Sequence, residues 1–221
     1  MSIFERVYAD IEKNKLLREN GLYTCIPWLD LPKFSTVIPG IEKERYTIVT
    51  ASSKVGKTQI ADFMYMYQPY KFISQNESNI KIKILYFSLE ISKSAKLLNI
   101  ISNRLFTDYG IVIDSQNLES KFQSYILTDE VLGKVKEIKE KIEVFEDTVT
   151  IIDSIRNPFG IYKYCRDWFE KNGTIHYKTI MIGNEEHKIM DFYEPTDPDL
   201  YTIIIIDNYN LLTPEKGGTL K

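Results

Sequence analysis

Four short apolar runs, at 46–50, 82–88, 149–152 and 202–206, are each separated from the next by at least one stretch of helical spacing. Parallel strands need a long crossover between them, usually a helix, and those crossovers are right-handed. The expectation is therefore an α/β fold, a mostly parallel sheet with helices on both faces. Tyr46-Thr-Ile-Val-Thr50 reads as a buried strand because β-branched residues dominate it. The run at 82–88 passes from alternation into the near-continuous apolar pattern of a buried parallel strand. Residues 202–206 are the most hydrophobic of the four.

Between the runs, the spacing predicts helices over 2–20, closed by Gly21, and over 58–67, ending near Pro69. Further helices are expected over 92–106, within a charge-laced stretch at 111–146, and over 158–171, where Pro158 opens the first turn. Pro27, Pro32 and Pro39 mark 25–40 as an extended, looped lead-in. Residues 174–193 read as a hairpin around Gly183-Asn184.

The 221 residues are 43% hydrophobic and 27% charged, enough to build a substantial core and too apolar for wholesale disorder. Lys and Arg number 28 against 31 Asp and Glu, so no broad basic field advertises nucleic acid. Cys25 and Cys165 lie too far apart for a zinc spacing or a disulfide framework. The amino terminus is charged from Glu5 and lacks a signal peptide's apolar stretch, and the 203–206 run is far too short to span a bilayer. A cytoplasmic protein without membrane partners is expected.

Residues 51–58, A-S-S-K-V-G-K-T, follow the Walker A pattern with Ala51 in the first glycine's place. A loop between strand and helix turns backbone N–H groups onto a polyphosphate at the positive end of the helix. Ser52, Ser53, Lys54, Val55, Gly56, Lys57, Thr58 and Gln59 are the expected nucleotide-binding residues. Gly56 lets the backbone curl, Lys57 reaches the outer phosphates, and Thr58 offers a hydroxyl to Mg²⁺. ATP and Mg²⁺ are the implied cofactors.

Such a loop needs a carboxylate at the end of another strand to hold Mg²⁺ through water. Asp207, just past the 202–206 run, fills that place in the manner of Walker B. The next residue is Asn208 rather than Glu, so a base for the attacking water must come from elsewhere. Glu90, at the end of I-L-Y-F-S-L-E, lies at the same sheet edge and is the candidate. Its alternative is an exposed charge capping the helix that follows Ser92.

Phe87 to Ser92, F-S-L-E-I-S, resembles the F-S-L-E-M-S signature of DnaB-type replicative helicases, ring-shaped RecA-like motors. A-S-S-K-V-G-K-T and I-I-I-D-N-Y-N-L-L at 204–212 are similar to that family's P-loop and Walker B segments, and 213–218 resembles the loop after them. Residues 151–158 and their helix match its third strand. The likeness runs from about Pro39 onward, with low identity between motifs. It implies a RecA-like P-loop NTPase fold, with Glu90 and Lys57 catalytic and Thr58 and Asp207 holding Mg²⁺. It also implies a homo-oligomeric ring, a hexamer, moving on single-stranded DNA, in the host cytoplasm if phage-encoded. Residues 1–25 would be a linker helix and 26–221 the ATPase core.

Three departures accompany the resemblance. Residues at about 173–200 look inserted, and their Glu185, Glu186, Asp191, Glu194, Asp197 and Asp199 make the insert acidic, poor for gripping phosphates. The family's later strand, DNA-contacting loops and arginine finger belong after Leu212, yet the chain reaches only Lys221. The expectation is thus an incomplete sheet and the front portion of a motor, with little hydrolysis on its own. A RecA- or KaiC-like ATPase in recombination or regulation, and a non-catalytic nucleotide-binding module, are the alternatives.

Overall fold

The computed structural model describes residues 3–52, 54–75 and 78–214. In chain order come α1 (Ile3–Glu19), β1 (Ile26–Pro27), α2 (Pro32–Ser35), β2 (Gly40–Ile41) and α3 (Lys57–Asp62). A π-helical turn (Phe63–Tyr67) leads into α4 (Gln68–Gln75), β3 (Lys81–Ser88), α5 (Lys93–Tyr109), α6 (Ser115–Leu118), α7 (Asp129–Glu137) and α8 (Lys139–Thr148). Then follow β4 (Val149–Ile152), α9 (Pro158–Asn172), β5 (Gly173–Ile182), β6 (Glu185–Pro195) and β7 (Leu200–Asp207). The class is α/β. The main sheet has the order β4-β3-β7. β3 and β4 are parallel, from Ile84 opposite Val149 to Phe87 opposite Ile152. β7 runs the same way along β3, since Lys81 N–H donates to Asp199 O (3.0 Å) and Leu89 N–H to Asp207 O (2.6 Å).

Two compact units divide the chain, Met1–Lys83 with Tyr162–Ile203, and Ile84–Ile161 with Ile204–Lys221. In the first, β1 and β2 pair antiparallel, Ile26 opposite Ile41 and Pro27 opposite Gly40. Gly40 is required there, because a Cβ would sit 2.1 Å from Ile26 O. Trp28 is buried with the rings of Phe34 and Tyr65 edge-on to it, and Tyr23 meets buried Phe72 edge-on. The expected hairpin is present: β5 and β6 pair antiparallel from Gly173–Pro195 to Ile182–Glu185, around Gly183 at φ 63°.

Gln68, at the start of α4, is buried and closes a polar knot with Asp30. Its Nε2 donates to Asp30 Oδ2 (2.6 Å), Asp30 N–H donates to its Oε1 (3.0 Å), and Lys71 Nζ donates to Asp30 Oδ1 (2.6 Å). The hydrogen bond from Lys71, then that from Gln68, holds the Asp30 carboxyl below the usual carboxylate range. A lowered carboxylate contributes stability above the usual range and loses it as pH falls through the lowered value. The Asp30 side chain is 41% exposed, so the ion pair itself is worth at most about 1 kcal/mol. Removing the acceptor of a buried amide costs more, about 1–3 kcal/mol. Asp30→Ala is therefore expected to destabilise the chain by about 1–3 kcal/mol at neutral pH in urea unfolding, with a smaller deficit in acid.

In the second unit, the core collects around β3, whose Ile84, Leu85, Tyr86 and Phe87 are fully buried. Ile100 and Leu105 of α5, Phe145 of α8 and Val149, Ile151 and Ile152 of β4 join it. α5 begins where Ser92 Oγ accepts from Ala95 N–H (3.2 Å) and ends at Gly110, left-handed at φ 70°. The charge-laced stretch resolves into α6, α7 and α8, with Ile138 and Ile142 turned inward. Thr128 caps α7, accepting from Val131 N–H at 3.3 Å.

Three expectations are corrected. The strand at 46–50 does not form: residues 45–50 have no regular structure, Tyr46 is 100% exposed and Ile48 75%. A strand exists only as part of a ladder, and β-branched composition supplies no partner. The helix begun at Lys57 does not stop near Pro69 but continues to Gln75. Gln68 N–H donates to Phe63 O, five residues back, which starts a new α-helical register at Gln68. Pro69 thereby falls in a first turn, where its missing N–H costs least. Finally, β7 is not covered on both faces: Ile203 and Ile205 are buried while Ile204 and Ile206 are each 40% exposed. It ends the β4-β3-β7 order, and its burial alternates as in a one-faced strand.

Candidate functional site

The expected phosphate loop belongs to the first unit. Gly56 adopts φ 92°, ψ 25° directly before α3, a left-handed position that favours glycine. Lys54, also left-handed at φ 62°, gives the loop a second sharp bend. Gly56 O accepts from Ile60 N–H (3.0 Å) and opens the ladder. The N–H groups of the first helical turn have no carbonyl four residues back within the helix and face outward along its axis. Lys57, the first residue of α3, folds over the loop, its Nζ donating to Ala51 O (3.0 Å) and Ser52 O (2.8 Å). The ammonium is thus held over the curl of backbone it closes. Ser52, Lys54, Val55 and Gln59 are exposed, and Gly56 and Thr58 partly so; Ser53 lies outside the described residues. The helix half of the strand–loop–helix context is formed and the strand half is not.

The two acids belong to the second unit. Glu90 is exposed, two residues past the end of β3, in a turn that Ser88 Oγ steadies by donating to Ile91 O (2.7 Å). Asp207 is the last residue of β7, half-buried. The 2.6 Å bond from Leu89 N–H to Asp207 O brings these strand ends together, so Glu90 directly follows a residue bonded to Asp207. This is the carboxyl edge of the parallel strands, where open α/β sheets bind ligands. Capping of α5 falls to Ser92 and Asp153, not to Glu90 as the alternative had it: Asp153 Oδ2 accepts from Lys93 N–H (2.7 Å).

Asp153, one residue past β4, is a third acid at this edge that the motif reading left out. Its signal was present, since I-I-D-S at 151–154 repeats the form of I-I-D-N at 205–208. The other omission is Tyr86 with Lys96. Tyr86 Oη donates to Asp207 Oδ2 (3.0 Å), and Lys96 Nζ donates to Tyr86 Oη (2.7 Å). Lys96, only 1% exposed, belongs to a helix whose lysines the sequence would place in solvent.

Thr58 in the first unit and Asp207 in the second each carry an oxygen donor of the kind a hard cation prefers. Among the described residues, no three His, Cys, Asp or Glu side chains gather to form a metal cage. Mg²⁺ does not require one, because it keeps most of its water and shares substrate phosphates. Burial raises both thiols, Cys165 to about 11. Among the described residues, no helix is long and apolar enough to cross a membrane. No model of a known protein family matches the chain, and no curated protein or solved structure matches it either.

Proposed function

We propose that the chain is an ATP-binding and hydrolysing module of RecA-like P-loop NTPase type, the motor of a ring-shaped, DnaB-like replicative DNA helicase. The observation that carries this reading is the loop at 51–58, with Gly56 left-handed at the head of a helix and Lys57 Nζ bound over the loop's own carbonyls. Lys57 exchanges those carbonyls for the β- and γ-phosphate oxygens. Loop N–H groups from Ser52 to Gln59 would take the remaining charge, and Mg²⁺, whose ligands the resemblance gives as Thr58 and Asp207, would neutralise the phosphates. Glu90 orients a water and takes its proton as the water attacks the γ-phosphorus in line; the bond to the bridging oxygen breaks, and ADP and inorganic phosphate leave. The working form is a cytoplasmic homohexameric ring on single-stranded DNA, in which a neighbouring subunit contributes an arginine finger.

Lys57→Ala tests the reading. A charge-assisted hydrogen bond is worth about 1.5–3 kcal/mol, so affinity for a fluorescent ATP analogue should fall by about tenfold or more. The variant side chain is small, and Lys57 is only half-buried, so the fold should survive. Unchanged affinity in the titration removes the nucleotide from the proposal.

A further inference from the structure

Behind Asp207 stands a line of side chains that no motif announces. Tyr86 is fully buried on β3, and Lys96 lies on α5 with its whole side chain inside. The ammonium sits 4.1 Å from the centroid of the Tyr86 ring while it donates to the phenolic oxygen. Lysine has only donors and a carboxylate only acceptors. The direction of the chain is therefore fixed: Lys96 Nζ to Tyr86 Oη, and Tyr86 Oη to Asp207 Oδ2.

Burying a lysine costs several kcal/mol before its pairing is counted, and a Met or Leu at this place fills the same volume without that cost. Lysine is almost never fully buried unless paired. What the arrangement achieves is local and directional. One oxygen of Asp207 is tied by a hydroxyl, which sets the plane of the carboxylate, and Lys96 Nζ in turn donates to that hydroxyl. A carboxylate has about four acceptor sites, so the Tyr86 hydroxyl at Oδ2 orients the group without by itself exhausting it. Removing a partner that orients a metal ligand in this way commonly costs about 10–100-fold in metal affinity.

We propose that Tyr86 and Lys96 are positioning residues for Asp207, aligning its carboxylate for the hydrated Mg²⁺ of a bound nucleotide. This rests on the reading of Asp207 given above. If Tyr86 served only to pack β3, its hydroxyl would have no influence on the dependence of nucleotide binding on Mg²⁺.

The test titrates the 221-residue chain with a fluorescent ATP analogue, once in EDTA and once across a series of MgCl₂ concentrations. Tyr86→Phe should raise the half-saturating Mg²⁺ concentration by about tenfold, the lower end for loss of such a partner, with affinity in EDTA within about twofold of wild type. Lys96→Met should do the same, and Lys96→Arg should restore part of the loss. In an Asp207→Asn background Tyr86→Phe should add less than about twofold, because both changes break one path. If the wild type depends on Mg²⁺, Asp207→Asn abolishes that dependence and Tyr86→Phe leaves it intact, the inference is overturned while the nucleotide reading stands. If Tyr86→Phe and Lys96→Met both lose binding in EDTA too, the pair holds the fold rather than the cation, and the inference is again overturned. A wild-type chain that binds no nucleotide under either condition removes both.

Discussion

Glu90→Gln should leave Mg-nucleotide affinity within about twofold and lower the single-turnover rate of γ-phosphate release by about 10²–10⁴-fold, the range expected of a positioned general base. Glutamine matches glutamate in shape but carries no negative charge to draw on the water's proton. Glu90 is suited to this test because it is exposed and the caps of α5 are supplied by Ser92 and Asp153. Removing its charge leaves those bonds in place. The comparison is one of rates within a single preparation, so even a slow basal hydrolysis suffices to read it. A Glu90→Gln chain that turns over at the wild-type rate assigns the water to another residue.

The second large effect concerns the frame that carries these acids. Phe87 is fully buried on β3, opposite Ile152 of β4. Phe87→Ala should destabilise by about 3–5 kcal/mol, from lost transfer energy and the cavity left behind. Urea unfolding at neutral pH reads it as a lower midpoint with an unchanged slope. Phe87→Leu, which keeps most of the volume, should cost less than half as much. Equal losses for the two would mean that the aromatic ring, rather than the filled space, is what β3 requires.

Much of the frame was legible because its signals are local. Residues 82–88, 149–152 and 202–206 became β3, β4 and β7 within two residues at either end, and Gly183-Asn184 turned the hairpin. Ser92 announced α5, and Pro158 announced α9. What failed depends on partners. The β-branched run at 46–50 has every local property of a strand, but pairing is a property of two segments and only one was visible. Pro69 misled because the change of hydrogen-bond register at Gln68 leaves no mark in composition. Glu90 and Asp207 were legible as acids at strand ends because residue type and position suffice, whereas Asp153 was passed over. Lys96 was missed because a lysine at helical spacing looks the same whether it meets water or a buried phenol.

The π turn at Phe63–Tyr67 makes the helix after the loop at 51–56 a counted object. Deleting one residue there would close the turn to ordinary α geometry and rotate everything downstream by about 100° about the helix axis. Gln68 would swing away from Asp30, and Phe72 from Tyr23, while Gly56 and Lys57 kept their places at the other end. Substitutions within 63–67 alter packing, but a change of length alters phase, and all of α4 would then present the wrong side to its core. The segment thus tolerates variation in what its residues are far better than variation in how many there are.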